Sequence, residues 1–208
     1  MRKTTVDVLA TGGKFLQHLG WNRGEPWLQE VSVPNSMAWE KSGIYNKQPT
    51  SEWAAMGVKA RNGPKLTGNN LPSSLILPMG RKGPAFLAYP NFSVFLEWNK
   101  SLVYTTSAGY LATRINGAPK LNRGKASDIL PIAKTKSLQT LWQERGYDVG
   151  KIDGIIGSGT RAAVRDVQLK LGLPADAWPD AALLAALVKS SGREIEPPPP
   201  PPTPRQRP

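Results

Sequence analysis

Few residues in this 208-residue chain have side chains suited to catalysis, and their types narrow the field at once. The chain has no cysteine, which excludes disulfide staples, thiolate chemistry and cysteine-based zinc or iron–sulfur centres. A single histidine, His18, rules out a multi-histidine metal site and reads as a helix-surface residue. No metal and no cofactor is expected. Carboxylates remain, and a carboxyl group acts as a general acid only when an apolar environment keeps it protonated. Glu25, Glu30, Glu40, Glu52 and Glu97 are each flanked by polar, glycine or proline residues or fall on an expected exposed face. No pair of them has a suggestive spacing, so none is expected to be a catalytic residue. A second group of polar residues surrounds a glycine-rich loop at 147–159. There Asp153-Gly154 suits a tight turn, and Thr160 and Arg161 open a helix whose N-terminal N–H groups suit an oxyanion or acetamido oxygen. Asp153 reads either as a turn-maker or as a ligand contact, and Arg161 and Gln168 as half-exposed residues open to a ligand.

Charge separates the chain into unequal parts. Residues 1–127 carry a net +10, whereas 128–191 and 192–208 carry +1 each, for +12 overall. A basic segment of this kind favours encounter with anionic polymers and says nothing about fold. The basic residues are scattered and no RNA- or DNA-binding signature accompanies them, so nucleic acid is not the expected partner. No apolar run approaches the ~18 residues of a spanning helix. Met1-Arg2-Lys3 is not followed by the apolar core of a secretion signal, because Asp7 and then Gly12-Gly13-Lys14 interrupt it. Instead Val6, Leu9, Phe15, Leu16 and Leu19 recur at helical spacing up to Gly20. A chain that opens inside such a core-type helix reads as a piece of something longer.

The elements that must position these groups follow from pattern. Gln29 to Pro34 alternates as a strand stopped by proline, and Ser51 is expected to cap a short helix ending at Gly57. Leu75–Leu77 and Phe86–Tyr89 flank Gly80-Arg81-Lys82-Gly83-Pro84 as a hairpin with a basic loop. Asn91–Trp98 reads as helical or extended, and 101–115 as a helix with Val103, Ser107, Tyr110, Leu111 and Arg114 on its apolar face. A Gly/Pro/Asn/Ser-rich and basic stretch, 116–129, reads as a linker. Beyond it, Leu138, Leu141 and Trp142, then Ala163, Val164, Val167 and Leu171, then Leu183, Leu184, Leu187 and Val188 mark three short helices, with Asp180 capping the last. The end, 191–208, holds six consecutive prolines and reads as a polyproline spacer or a ligand for a proline-recognising partner.

Two resemblances organise these readings. Leu138-Gln139, Gly146-Tyr147-Asp148, Ile152-Asp153-Gly154-Ile155-Ile156-Gly157, Thr160-Arg161-Ala162-Ala163-Val164, Val167-Gln168 and Gly172-Leu173-Pro174-Ala175-Asp176 together resemble the three-helix peptidoglycan-binding domain. Two positions depart from that family: Val167 stands where it usually has an aromatic residue, and Ala177 where it commonly has glycine. Earlier, Asp7–Trp27, Glu52–Val58, Gly83–Phe92 and Trp98-Asn99-x-Ser101-x-x-Tyr104 resemble, in order, the late catalytic-domain sequence of B-type lytic murein transglycosylases. The resemblance implies an α+β fold, a partial lysozyme-like transglycosylase domain over 1–115 with a small hairpin or sheet region. The all-α peptidoglycan-binding domain follows at 130–190.

Such enzymes cleave the β-1,4 bond between N-acetylmuramic acid and N-acetylglucosamine and leave a 1,6-anhydro sugar. Their general acid/base glutamate lies upstream of everything aligned here, so the expected activity of this polypeptide is binding without cleavage. Trp98, Asn99 and Tyr104 fall at the family's substrate-cleft positions, with Trp98 in place of a tyrosine; Trp98 and Tyr104 also read as core aromatics. Asp153, Thr160, Arg161 and Gln168 are the corresponding peptidoglycan-binding candidates. The implied partners are glycan strands and stem peptides, the implied setting is the periplasm or cell envelope, and the implied state is a monomer. A stand-alone, non-catalytic wall-binding protein is the alternative.

Overall fold

The computed structural model describes residues 4–62, 65–66, 70–126 and 129–190. The chain forms two compact units, Met1–Ala126 and Ser127–Pro208. The expected proline-rich segment 191–208 lies outside the described residues.

The first unit is built on a five-stranded antiparallel sheet. Its strands are β1 (Leu28–Ser32), β2 (Lys47–Pro49), β3 (Lys59–Ala60), β4 (Pro72–Ile76) and β5 (Ala85–Ala88), in spatial order β2-β4-β5-β1-β3. The expected hairpin is β4–β5, with Ser74 opposite Ala88 and Ile76 opposite Phe86. Residues alternate between sheet faces along a strand, and here both faces are covered. Leu75, Leu77, Ala85, Leu87 and Tyr89 join Trp39, Trp53 and Val58 in one core, while Ile76, Phe86 and Ala88 join Phe92 in the other. Trp53 is fully buried and donates its indole N–H to the Ser73 carbonyl at 2.9 Å, which fixes the helix α2 (Thr50–Ala55) against the sheet. Ser51 does not cap that helix as expected. Pro49 holds the cap position, and the Ser51 N–H is taken by Asn70 Oδ1 at 3.0 Å.

Three further helices belong to this unit: α1 (Thr5–His18), α3 (Pro90–Trp98) and α4 (Leu102–Ile115). The Thr4 hydroxyl accepts the Asp7 N–H to cap α1. The segment left open between helix and strand is α3, and Pro90 at its first turn supplies the fixed φ that suits a helix start. The helical spacing of α1 is borne out but its apolar residues are not core: Val6 is 74% and Leu9 70% exposed. In α4 the buried stripe is Thr105, Thr106 and Gly109 rather than the apolar positions, with Val103 and Leu111 exposed. Gly109 explains the shift, because a Cβ there would lie 3.1 Å from the Trp27 indole. The glycine admits a ring where a side chain would keep it out.

The second unit contains α5 (Ile132–Glu144), α6 (Ser158–Lys170) and α7 (Ala181–Lys189) around a core of Leu138, Trp142, Tyr147, Val149, Ala163, Val164, Val167 and Leu183. The Asp180 carboxylate caps α7 by accepting the Leu183 N–H at 2.9 Å, as its position suggests.

Candidate functional site

Trp98, Asn99 and Tyr104 come together at the junction of α3 and α4. Trp98 ends α3, Asn99 caps it, and Tyr104 lies in the first turn of α4. Local hydrogen bonds set this corner. Ser101 caps α4 by accepting the Tyr104 N–H at 3.3 Å, the Asn99 Oδ1 accepts the Ser101 N–H at 3.2 Å, and the Thr105 hydroxyl donates to the Asn99 carbonyl at 3.2 Å. Trp98 and Tyr104 remain 46% and 52% exposed, so both side chains are partly open to solvent.

An aromatic row supports the corner. Trp98 meets Phe15 of α1 edge-on at 5.5 Å and Phe95 at 6.3 Å, and Trp27 in turn meets Phe95 at 5.9 Å and Trp21 at 6.0 Å. Gly12 makes room for the row, since a Cβ on it would stand 3.3 Å from the Trp98 ring. Asn91 anchors the start of α3. It is fully buried, accepts the Asn22 N–H at 2.9 Å, and donates to the Asn22 and Glu25 carbonyls at 2.8 and 3.0 Å. It ties the loop after α1 to the start of α3, and so fixes the helix that carries Trp98. A polar residue beside Pro90 in an otherwise apolar run was its only signal.

The carboxylates of this unit are distributed as follows. Glu40, Glu52 and Glu97 are exposed and Glu25 is partly covered. Glu30 is also partly covered, with a side chain 11% exposed, and it is fully engaged: Arg61 lies at 3.4 Å, and Asn62 and the Asn122 N–H donate to it at 3.3 and 2.9 Å.

In the second unit Thr160 and Gln168 are fully buried and spend their polar atoms within the protein. Gln139 and Thr160 form one clamp. The Gln139 amide donates to the Ile155 carbonyl at 2.9 Å and to the Thr160 hydroxyl at 3.1 Å, and its oxygen accepts the Gly154 N–H at 2.8 Å. Gln168 forms the other, donating to Asp176 Oδ1 at 2.8 Å and the Trp178 carbonyl at 3.1 Å while accepting the Ala177 N–H at 2.9 Å. The two glutamines hold the loops at either end of α6. Gln139, the second residue of the Leu138-Gln139 pair that resembles the peptidoglycan-binding family, is not among the expected binding residues.

Gly154 has φ +82°, and a Cβ on it would lie 2.6 Å from Ile132, so the Asp-Gly turn admits no other residue without a shift. Ala177 adopts φ +59°, the left-handed conformation that makes glycine the common choice there. Of the other two candidates, Asp153 is exposed and Arg161 is partly buried. One Asp153 carboxylate oxygen accepts the Ile155 N–H at 2.8 Å. The Arg161 guanidinium lies 5.1 Å over the Trp178 ring. Burial pushes the Arg161 guanidinium down to about 10, against the favourable field of Asp176 and with a small contribution from Arg165.

Comparison with known proteins places this geometry. Residues 1–113 match the Transglycosylase SLT domain and residues 133–187 the Putative peptidoglycan binding domain. The chain belongs to the SLT transglycosylase family, its mixed helix and sheet being the lysozyme-like SLT fold joined to a helical peptidoglycan-binding domain. It is 36% identical to SltB3 of Pseudomonas aeruginosa, crystallised with NAG-NAM-pentapeptide, over 89% of this chain, with a TM-score of 0.76. The same enzyme with NAG-anhNAM-pentapeptide gives 35% identity over 89% of this chain and a TM-score of 0.74. The chain spans about half the length of these relatives, 50% and 51%. None of the curated proteins compared matches it. No helix among the described residues is long and apolar enough to cross a membrane.

Proposed function

We propose that this chain holds peptidoglycan through both units. Its first unit supplies the substrate-gripping part of a lytic transglycosylase site, for cleavage of the β-1,4 bond between N-acetylmuramic acid and N-acetylglucosamine with a 1,6-anhydro product. One observation supports the reading: in a member of the SLT family, Trp98, Asn99 and Tyr104 share the corner between α3 and α4, Trp98 and Tyr104 are about half exposed, and Phe15 and Phe95 pack against Trp98. The half-exposed indole offers a sugar ring an apolar face, and the Asn99 amide can donate to and accept from an acetamido group. The relatives crystallised with NAG-NAM-pentapeptide make a glycan strand with stem peptides the partner of choice. In the second unit Asp153 and Arg161 would touch the ligand, with Thr160 and Gln168 holding the loops that present them.

The 208-residue polypeptide binds without cutting. Bond scission needs a carboxyl that stays protonated to donate to the leaving oxygen. Glu30 is committed to Arg61, Asn62 and Asn122, and its fellow glutamates in this unit are exposed or partly covered. A monomer acting in the periplasm or cell envelope fits this role. The same placing of the glutamates favours the second reading, a non-catalytic wall-binding protein.

Co-sedimentation with purified sacculi tests the shared claim: the full chain is expected in the pellet, and its staying in solution overturns wall binding. Mass spectrometry of the supernatant tests the other. Anhydro-ended muropeptides released by this polypeptide would refute binding without cleavage.

A further inference from the structure

A hollow of about 360 Å³ lies at the far end of α4, lined by Tyr110, Arg114, Lys120, Leu121 and Arg123. Ligand sites usually fall between roughly 300 and 1,000 Å³. Three of the five lining side chains are cationic and none is acidic. Among the described residues, none of the three forms an ion pair. The nearby carboxylate of Glu30 is already taken by Arg61, Asn62 and the Asn122 N–H. The Tyr110 hydroxyl accepts the Leu121 N–H at 3.1 Å and keeps its own proton to donate. Leu121 packs onto the core that contains Phe86 and Phe92 and gives the hollow an apolar floor.

The hollow is built rather than incidental. Two of its cations come from the basic stretch after α4, and that stretch is pinned at several points. The Asn122 N–H binds Glu30, the Gly124 N–H binds Asn122 Oδ1 at 2.8 Å, and the Lys125 N–H binds the Lys82 carbonyl at 2.9 Å. Gly124 has φ +64°, and a Cβ there would stand 2.4 Å from the Lys82 carbonyl oxygen, so the strap passes this point only as glycine. Like charges held together in this way repel one another until a counter-charge arrives.

We propose that this hollow binds a carboxylate of a peptidoglycan stem peptide; the proposal rests on the wall-binding reading above. Distance supports it. Tyr104 and Arg114 lie ten residues apart on α4, about 15 Å at ~1.5 Å per residue. An extended peptide of roughly four or five residues spans about 13–18 Å. A glycan lodged at Trp98, Asn99 and Tyr104 thus places the carboxylates of its stem within reach of Arg114, Lys120 and Arg123. The cations supply charge-assisted hydrogen bonds, and Leu121 accommodates the alkyl part of the residue.

The test uses the full chain and two synthetic probes, a stem tetrapeptide with free carboxylates and the same peptide with every carboxylate amidated, titrated calorimetrically. The acid is expected to bind about tenfold tighter than the amide, the factor that follows from roughly 1.4 kcal/mol. Lys120→Gln/Arg123→Gln, both solvent-facing, is expected to abolish that preference while leaving the thermal midpoint in place. Equal binding of acid and amide by the native chain overturns the proposal, whether or not the double variant folds. So does a preference that survives in a folded double variant. Inorganic phosphate displacing the acid at equal concentration overturns it in favour of a phosphate site. Sacculus pelleting of the native chain separates the two levels: pelleting with equal probe affinities defeats only the hollow, whereas failure to pellet defeats the wall-binding reading itself.

Discussion

At the residue scale, two side chains carry more than their exposure suggests. Asn91 is fully buried and satisfies three partly buried backbone groups of Asn22 and Glu25, so removing it takes a bond from each and leaves a void at the start of α3. Each such group costs about 1–3 kcal/mol when left unpaired. Asn91→Ala should therefore destabilise the first unit by at least about 2 kcal/mol, read as a lower urea midpoint, and should weaken sacculus binding because α3 loses its anchor. A change below about 0.5 kcal/mol would show that the loop after α1 does not depend on it. Arg161 presents the opposite case. Its charge is disfavoured by burial, so the folded state gives up some stability to keep it until the pH rises past about 10. An apolar side chain of similar length should sit over Trp178 without that cost. Arg161→Met is expected to hold or raise the thermal midpoint while lowering affinity for sacculi. A fall in midpoint with binding intact would make Arg161 a structural residue.

At the element scale, the loop Tyr147–Gly157 is tied to α6 by a triad that gives the second unit a pH signature. The Tyr147 hydroxyl donates to Asp166 at 2.5 Å, Lys170 pairs with Asp166 at 3.0 Å, and Lys170 also donates to the Tyr147 oxygen at 3.3 Å. Burial and the neighbouring Asp166 push the Tyr147 phenol up; for Lys170, burial alone would lower the ammonium, but its bonds to Asp166 and Tyr147 outweigh that and raise it. A phenol that ionises later in the folded chain than in the unfolded one contributes stability below pH ~10 and loses it above. The raised ammonium acts in the same sense, whereas Arg161 runs the other way above about 10. Unfolding midpoints of the native chain between pH 9 and 11 should therefore fall more steeply than those of Tyr147→Phe, and parallel curves would refute the triad's role.

The helices of both units and the hairpin of the first were legible because period and caps act locally; Asp180 and Gly57 stand where a capping argument puts them, whereas Ser51 does not. The inward faces of α1 and α4 were not legible from apolar period. What α4 buries depends on the Trp27 ring meeting Gly109, a contact between distant parts of the sequence. The roles of Gln139, Gln168 and Asn91 were hidden for the same reason. A buried amide is recognised by its partners, and most of those partners are backbone groups, which carry no sequence signal. The stretch after α4 reads as a linker by composition, yet it lies along the first unit as far as Ala126, held by Glu30 and Lys82.

At the scale of the whole molecule, binding to an anionic wall polymer divides into a part that salt removes and a part that it does not. Of the +12 net charge, +10 belongs to residues 1–127, so most of the screenable attraction resides there. At about 0.15 M salt the screening length is ~8 Å, and at 1 M only ~3 Å, so exposed cations acting at a distance fade across that range. Contacts between a sugar face and an indole are short-ranged and apolar, and added salt leaves them largely intact. If Trp98 grips the glycan as proposed, it governs what remains at high salt. Sacculus binding of the native chain should weaken several-fold between about 50 mM and 1 M NaCl and then level off, because by then exposed charges are screened beyond ~3 Å. Trp98→Ala should lose most of that salt-resistant remainder. It should also cost about 1–3 kcal/mol of stability, since two ring contacts, to Phe15 and Phe95, disappear together. A folded Trp98→Ala chain that binds sacculi at 1 M NaCl as well as the native chain does would remove the indole from the grip and leave charge as its main source.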